Sequence, residues 1–442
     1  MQALRNSGRI ANSVVVNKGG QRIGIIGISP PETPTISSPR RVTFDSFDDT
    51  VKAVNDEALA LGRAGVNKII LSSHLQDSAN EKRLVGNLRN VDIVISGGAD
   101  DLQAKESDVL IPGSIPPPFP YPRSITDADG NPVPMVTTQG EYKYVGRLTV
   151  TFNSAGQIES TDLSRSGPVR VTADQTQSDY VPEDPDLTRD ITDPLVAYKL
   201  SLAANKIGKT DVFLNGGNPN PIRLREGNLG DLVADGFLAA ANRTAVADGR
   251  PVANVAFSNG GGIRNSIQAG DISEQNTFDV LPFDNVIVTV PSVTPARLKE
   301  LMEWGVAART PNATNNGSPN GRFPQIAGFK MTVDITKTAQ VQDAALNVTT
   351  PGARITSITL DNGTKIVENG VLVPGAPNVN LATTNFTAAN GDSYPFRDLK
   401  GVAAGVPYQQ SLYDYIVKDL GGVVSSARYP ANGAGRIVIT GE

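Results

Sequence analysis

Lys68-Ile69-Ile70-Leu71-Ser72-Ser73-His74 and Val91-Asp92-Ile93-Val94-Ile95-Ser96-Gly97-Gly98 decide the class of fold. Each is a short apolar run that ends in polar or glycine residues, as a buried strand does where it feeds a loop. Between them, Asn80 to Leu88 suits a helix. Before them, Val51, Val54, Ala58, Leu59 and Leu61 fall at helical spacing within Thr50 to Ala64. Strand, helix, strand in this order predicts a layered α/β unit, with functional loops at the carboxyl ends of its strands. Further upstream, Ser13-Val14-Val15-Val16 and Arg22 to Ile28 flank Lys18-Gly19-Gly20, which reads as a hairpin.

Downstream, residues 111–134 are rich in Pro and Gly and read as an irregular connection. Tyr144 to Phe152 reads as one strand, and a first domain spans 1–171. Residues 172–206 form a polar, acidic linker that ends in a bridging helix from Pro194 to Ala204. A second α/β domain occupies 207–442. It should hold helices at Asn228–Asn242, Pro295–Gly305 and Tyr408–Leu420, and strands at Ala253–Phe257 and Val286–Val290. No internal repeat or coiled-coil pattern is found.

The chain has 442 residues, 39% of them hydrophobic, enough for two or three folded domains. A net charge of -5 argues against general nucleic-acid binding, although a few local arginines can still hold a small anion. There is no cysteine, so disulfides and thiolate metal sites are excluded. His74 is the only histidine, so no mechanism needing several imidazoles runs on this chain alone. No apolar run reaches the roughly 18 residues of a membrane helix. The first residues lack the apolar core of a signal peptide. This leaves a cytoplasmic protein or a chain that starts downstream of its natural start.

Three stretches carry chemistry. In the first, Ser258-Asn259-Gly260-Gly261-Gly262-Ile263-Arg264 follows a strand-like run. Its glycines let backbone N–H groups approach an anion, and Arg264 can pair with phosphate. A plain glycine turn explains the same residues. In the second, Ile222-Arg223-Leu224-Arg225-Glu226-Gly227-Asn228 reads as an extended strand with both arginines on one side and Asn228 capping the next helix. A solvated basic pair is the alternative. In the third, Phe283 in Leu-Pro-Phe-Asp-Asn and Phe386 in Asn-Phe-Thr-Ala-Ala-Asn-Gly-Asp lie among turn-forming polar residues. Two exposed rings can sandwich a base, and Asp392 can accept from ribose hydroxyls. Alternatively each ring packs its own loop onto the core.

Taken in order, with Phe323-Pro324-Gln325-Ile326-Ala327-Gly328 among them, these stretches resemble the C-terminal domain of the secreted 5′-nucleotidases over residues 195–442. The resemblance implies that Arg223, Asn259 and Arg264 hold phosphate or ribose. It implies that Phe283 and Phe386 stack the base and that Asp392 binds ribose. Arg225 matches less securely. Asn390-Gly391-Asp392 stands where the family usually has Gly-Gly-Asp.

The first 170 residues resemble the rear part of the same family's metallophosphoesterase domain. Leu71-Ser72-Ser73-His74-Leu75 is similar to its Leu-Ser-His-Leu-Gly, and Val91 to Gly98 to the run before its Gly-Gly-His-Thr-His. The expected architecture is therefore a partial metallophosphoesterase α/β sandwich, lacking its N-terminal part, followed by the nucleotide-binding α/β domain. The resemblance implies two divalent metal ions about 3.5–4 Å apart that bind phosphate and generate hydroxide. Here the His-Thr-His positions read Ala99-Asp100-Asp101, and of the metal-binding loops only His74 keeps a ligand type. Two readings stay open. Asp100 or Asp101 replaces a histidine ligand in a variant site, or the site is degenerate.

The expected function is a phosphoric ester hydrolase acting on a nucleotide or related phosphate ester. The alternative is a non-catalytic nucleotide-binding or surface protein that reuses the fold. The resemblance implies a periplasmic or extracellular location.

Overall fold

A computed structural model of the chain describes residues 2–33, 42–99, 101–114, 117–216, 221–310, 320–343 and 345–442. It falls into two compact units: residues up to 188, and residues 189–442.

The first unit is built on a six-stranded mixed sheet. Ser13–Lys18 and Gln21–Gly27 form the expected antiparallel hairpin. Gln21–Gly27, Ile69–His74, Ile93–Gly97 and Pro132–Val136 then run parallel, and Arg123–Thr126 closes the edge antiparallel to Pro132–Val136. The pleat sends Ile26, Leu71 and Val94 to one face. There they share a core with Val54, Ala58 and Leu61 of helix Phe47–Arg63 and Leu84 of helix Ser78–Val85. By the same alternation and register, the opposite face carries Ile25, Ile70, Ile95 and His74.

Ser46 and Asp77 cap the two helices by accepting the Asp49 and Ala79 N–H groups. Glu81, fully buried, accepts from the Ser73 hydroxyl (2.8 Å) and the Leu75 N–H (2.9 Å), which pins the strand end that carries His74.

The expected single strand from Tyr144 to Phe152 is two. Tyr144–Arg147 pairs with Gly167–Arg170, and Val150–Phe152 with Ile158–Thr161. The partner changes at Thr149, whose N–H is taken by the Ser166 hydroxyl at 2.9 Å.

In the second unit, a five-stranded sheet has the order Pro324–Ala327, Val255–Asn259, Val379–Thr384, Val286–Val293, Val402–Pro407. Val255–Asn259 is buried along its whole length, as a central strand covered on both faces must be. Its side chains divide by parity. Ala256 joins the core under helix Asn228–Ala247, and Val255 and Phe257 join the core under helix Pro295–Val306. That second core is shared with another five-stranded sheet that contains Phe329–Asp334 and Ile355–Leu360.

The 408–420 helix is α-helical over Tyr408–Asp414 and finishes as a π turn over Tyr415–Asp419. Among the described residues, no helix is long and apolar enough to cross a membrane.

Candidate functional site

The site lies at one end of the five-stranded sheet in the 189–442 unit. The parallel strands Val255–Asn259 and Val379–Thr384 end there, and the antiparallel strands Val286–Val293 and Pro324–Ala327 begin there. A cavity of about 490 Å³ opens between their loops. Arg223, Asn259, Arg264, Phe283, Phe386 and Asp392 all line it, joined by Gly261, Gly262, Asn285 and Gly321. Strand-end clefts of this kind are where α/β sheets place ligands.

Asn259 is the last residue of its strand and buried. Its Nδ2 donates to Asp392 Oδ2 at 2.6 Å, which ties the strand end to the Gly391–Ser393 turn. Burial pushes the Asp392 carboxyl above its ordinary range, while Asn259, Arg322 and Arg223 pull it back. Its backbone is left-handed (φ 52°), and the Asp392 carbonyl accepts from Trp304 Nε1 at 2.9 Å. Arg322 stacks over Trp304 with its guanidinium carbon 3.8 Å from the ring centroid.

The departure at Asn390 is explained by geometry. Residue 390 sits at φ 72°, a left-handed conformation that asparagine tolerates better than other side chains, and its Oδ1 accepts from the Arg397 N–H at 2.7 Å. Gly391 is required where it stands, because a Cβ there would lie 2.6 Å from the Phe386 ring.

The two arginines give the cavity its charge. The Arg223 Nε is buried and has no hydrogen-bond partner. Burial first, and then the Arg264 charge, lower its pKa, and Asp392 acts against them. Arg264 is exposed, bonds Gly261 O through Nη1 at 3.3 Å, and lies 5.6 Å from the Phe283 ring centroid. Two like charges with an unpartnered donor between sheet ends favour an anion. Phe283 is 49% exposed, and its N–H donates to the Tyr408 hydroxyl at 2.6 Å.

The glycine run works differently from the sequence reading. The Gly260 and Gly261 N–H groups donate to Phe323 O (2.8 Å) and Gly321 O (2.7 Å), so they are spent on the protein and do not cradle an anion. The glycines serve close approach. A Cβ on Gly260 would meet Ile222 O at 2.4 Å, and one on Gly261 would meet the Gly321 Cα at 3.1 Å.

The 222–226 stretch is not extended either. A 3₁₀ turn spans Pro221–Arg223, and Arg225 leaves the cavity towards Glu442, 3.6 Å away. Asn228 lies inside the helix, and Gly227 is the cap position. The Asn228 side chain accepts from the Asn215 N–H (2.9 Å) and donates to Phe213 O (2.9 Å). Sequence reasoning missed Asn285, Gly321, Trp304, Arg322 and Gln325 as parts of the site. Asn285 and Gln325 stood inside the quoted motifs, and Trp304 is the chain's only tryptophan.

In the first unit, His74 is exposed at its strand end, paired in register with Gly97. A Cβ on Gly98 would meet the His74 Nε2 at 2.9 Å, so the ring needs that glycine to fit where it lies. Asp101 accepts a hydrogen bond from the Ser78 hydroxyl, and Asp100 lies outside the described residues. Among the described residues, no group of three or more His, Asp or Glu side chains converges as a metal site would. A two-metal centre needs several such donors per ion, and the described residues bring no such set together.

The family profile described as "5′-nucleotidase, C-terminal domain" matches residues 206–398. The chain is 28% identical over 390 residues to a trifunctional nucleotide phosphoesterase protein of Bacillus subtilis (strain 168), a match covering 86% of this chain and 22% of that protein. It is 27% identical over 403 residues to the snake venom 5′-nucleotidase of Crotalus adamanteus, covering 88% of this chain and 62% of the relative. The chain thus spans less than two thirds of the length of these relatives. The crystal structure of a 5′-nucleotidase precursor from Thermus thermophilus matches with TM-score 0.67 and 27% identity, covering 99% of this chain and 76% of that one.

Proposed function

We propose that this chain is a member of the 5′-nucleotidase family and that its 189–442 unit binds a nucleoside 5′-phosphate, as the substrate-holding part of a phosphoric ester hydrolase. One observation carries the reading. Arg223, Asn259, Arg264, Phe283, Phe386 and Asp392, drawn from segments up to 169 positions apart, line one cavity of about 490 Å³. In this reading, Arg223 and Arg264 take the phosphate. Asp392, held by Asn259, accepts from ribose hydroxyls, and the base lies against Phe283 and Phe386.

Titration calorimetry of the full chain with AMP tests binding. Saturable heat is expected, and a flat titration with both AMP and adenosine would remove the reading. Phosphate release from AMP with Mn²⁺, Zn²⁺ or Ca²⁺ added tests hydrolysis by this chain.

A second reading, recognition without hydrolysis, is favoured by the first unit. There Ala99 and Asp101 stand at the two positions where the resemblance implies histidines. AMP binding with no phosphate release under any of the three ions would support it, and turnover would exclude it.

A further inference from the structure

We infer that the buried amide of Gln325 is a positioning residue for Arg223 and sets phosphate recognition apart from base recognition. The inference rests on the nucleotide reading above.

Gln325 is fully buried in strand Pro324–Ala327, opposite Ser258. Its side chain reaches the turn that carries Arg223. Oε1 accepts from the Gly227 N–H at 3.1 Å, and Nε2 donates to Ile222 O at 3.0 Å and to Arg225 O at 2.8 Å. One amide thus holds the backbone on both sides of Arg223. Only a side chain with two donors and an acceptor in this fork can make all three bonds.

The surroundings are built to admit it. A Cβ on Gly230 would lie 2.1 Å from Oε1, and a Cβ on Gly260 would meet Ile222 O at 2.4 Å. The Asn320 N–H adds a further tie to Arg223 O at 3.2 Å. Meanwhile the Arg223 Nε has no partner of its own. No hydrogen bond of the Nε aims the guanidinium, while Gln325 holds the backbone on both sides of the residue that carries it. The aromatic rings are held by other means, Phe283 through the Tyr408 hydroxyl and Phe386 over Gly391.

Calorimetry of the full chain with AMP and with adenosine, on wild type, Gln325→Glu, Gln325→Met and Arg223→Ala, tests this. Gln325→Glu keeps the acceptor for Gly227 but sets an oxygen against two carbonyls. Gln325→Met keeps the volume and removes every bond. Both should weaken AMP at least tenfold and leave adenosine within twofold, the pattern expected of Arg223→Ala. Equal loss of both ligands, or no loss, would overturn the inference.

Hydrogen exchange of the ligand-free wild type supplies a measurement that needs no variant to fold. The Gly227 amide should be protected, and rapid exchange there would overturn the anchoring. If wild type binds neither AMP nor adenosine, the nucleotide reading and the selectivity fail together. Protection at Gly227 that is lost in Gln325→Met would then still establish the anchor.

Discussion

At the residue scale the cavity separates its tasks among single side chains. Phe283 and Phe386 both line it, and Phe283 is half exposed. Stacking on an aromatic ring contributes about 1–3 kcal/mol per base. Phe283→Ala and Phe386→Ala should each weaken AMP and adenosine alike, by about tenfold, in titration calorimetry. Loss confined to AMP would assign the rings to something other than the base.

Gly391 gives a stricter test of the same wall. Its missing Cβ leaves 2.6 Å to the Phe386 ring, so Gly391→Ala must displace that ring or the left-handed Asp392 beside it. The variant should bind adenosine more weakly than Phe386→Ala does, because it disturbs ring and ribose acceptor together. Affinity equal to wild type would show that the ring has room to give.

At the scale of elements, the first turn of helix Asn228–Ala247 carries a charge problem. Asp231 is fully buried and accepts from the Ala434 N–H at 3.0 Å. Arg436 Nε lies 3.6 Å away. Burial pushes the Asp231 carboxyl well up, Arg436 opposes this, and the Glu226 charge adds to it. The unfolded value is 3.8, so between it and the raised folded value the native chain binds more protons than the unfolded one. Stability therefore falls as pH rises through that window and levels off above it. Asp231→Asn keeps an acceptor for Ala434 and has no proton to lose. Its Tm relative to wild type should rise steadily from pH 4 towards pH 8, and a gap independent of pH would refute the raised Asp231 pKa.

Elements were also what the sequence showed best. Apolar runs and turn glycines announced the 13–28 hairpin, the strand Ile69–His74 and the helices at 47–63 and 295–306, because period and punctuation are local properties. The 222–227 turn was misread as a strand, because its shape comes from the Gln325 amide a hundred positions away. The Gly260 and Gly261 N–H groups seemed free for the same reason, since their acceptors lie at 321–323. The six cavity residues were legible as an ordered set of motifs, whereas Trp304 and Arg322, which brace Asp392, stand in no such pattern.

At the scale of the whole molecule, charge recognition must be local. The chain carries a net charge of -5, so its overall field does not draw in a phosphate, and attraction comes from Arg223 and Arg264 within the cavity. Moderate salt should then weaken AMP more than adenosine, since only AMP brings a charge to screened arginines. The cavity belongs entirely to the 189–442 unit, whereas His74 and Asp101 belong to the other. If two arginines suffice for the phosphate, no cation is needed to bridge it. AMP affinity measured by calorimetry should stay within twofold when EDTA is added or when Mn²⁺ is supplied. A tenfold fall with EDTA would mean that a metal ion completes the phosphate site, and the account that gives the charge to Arg223 and Arg264 alone would have to be abandoned.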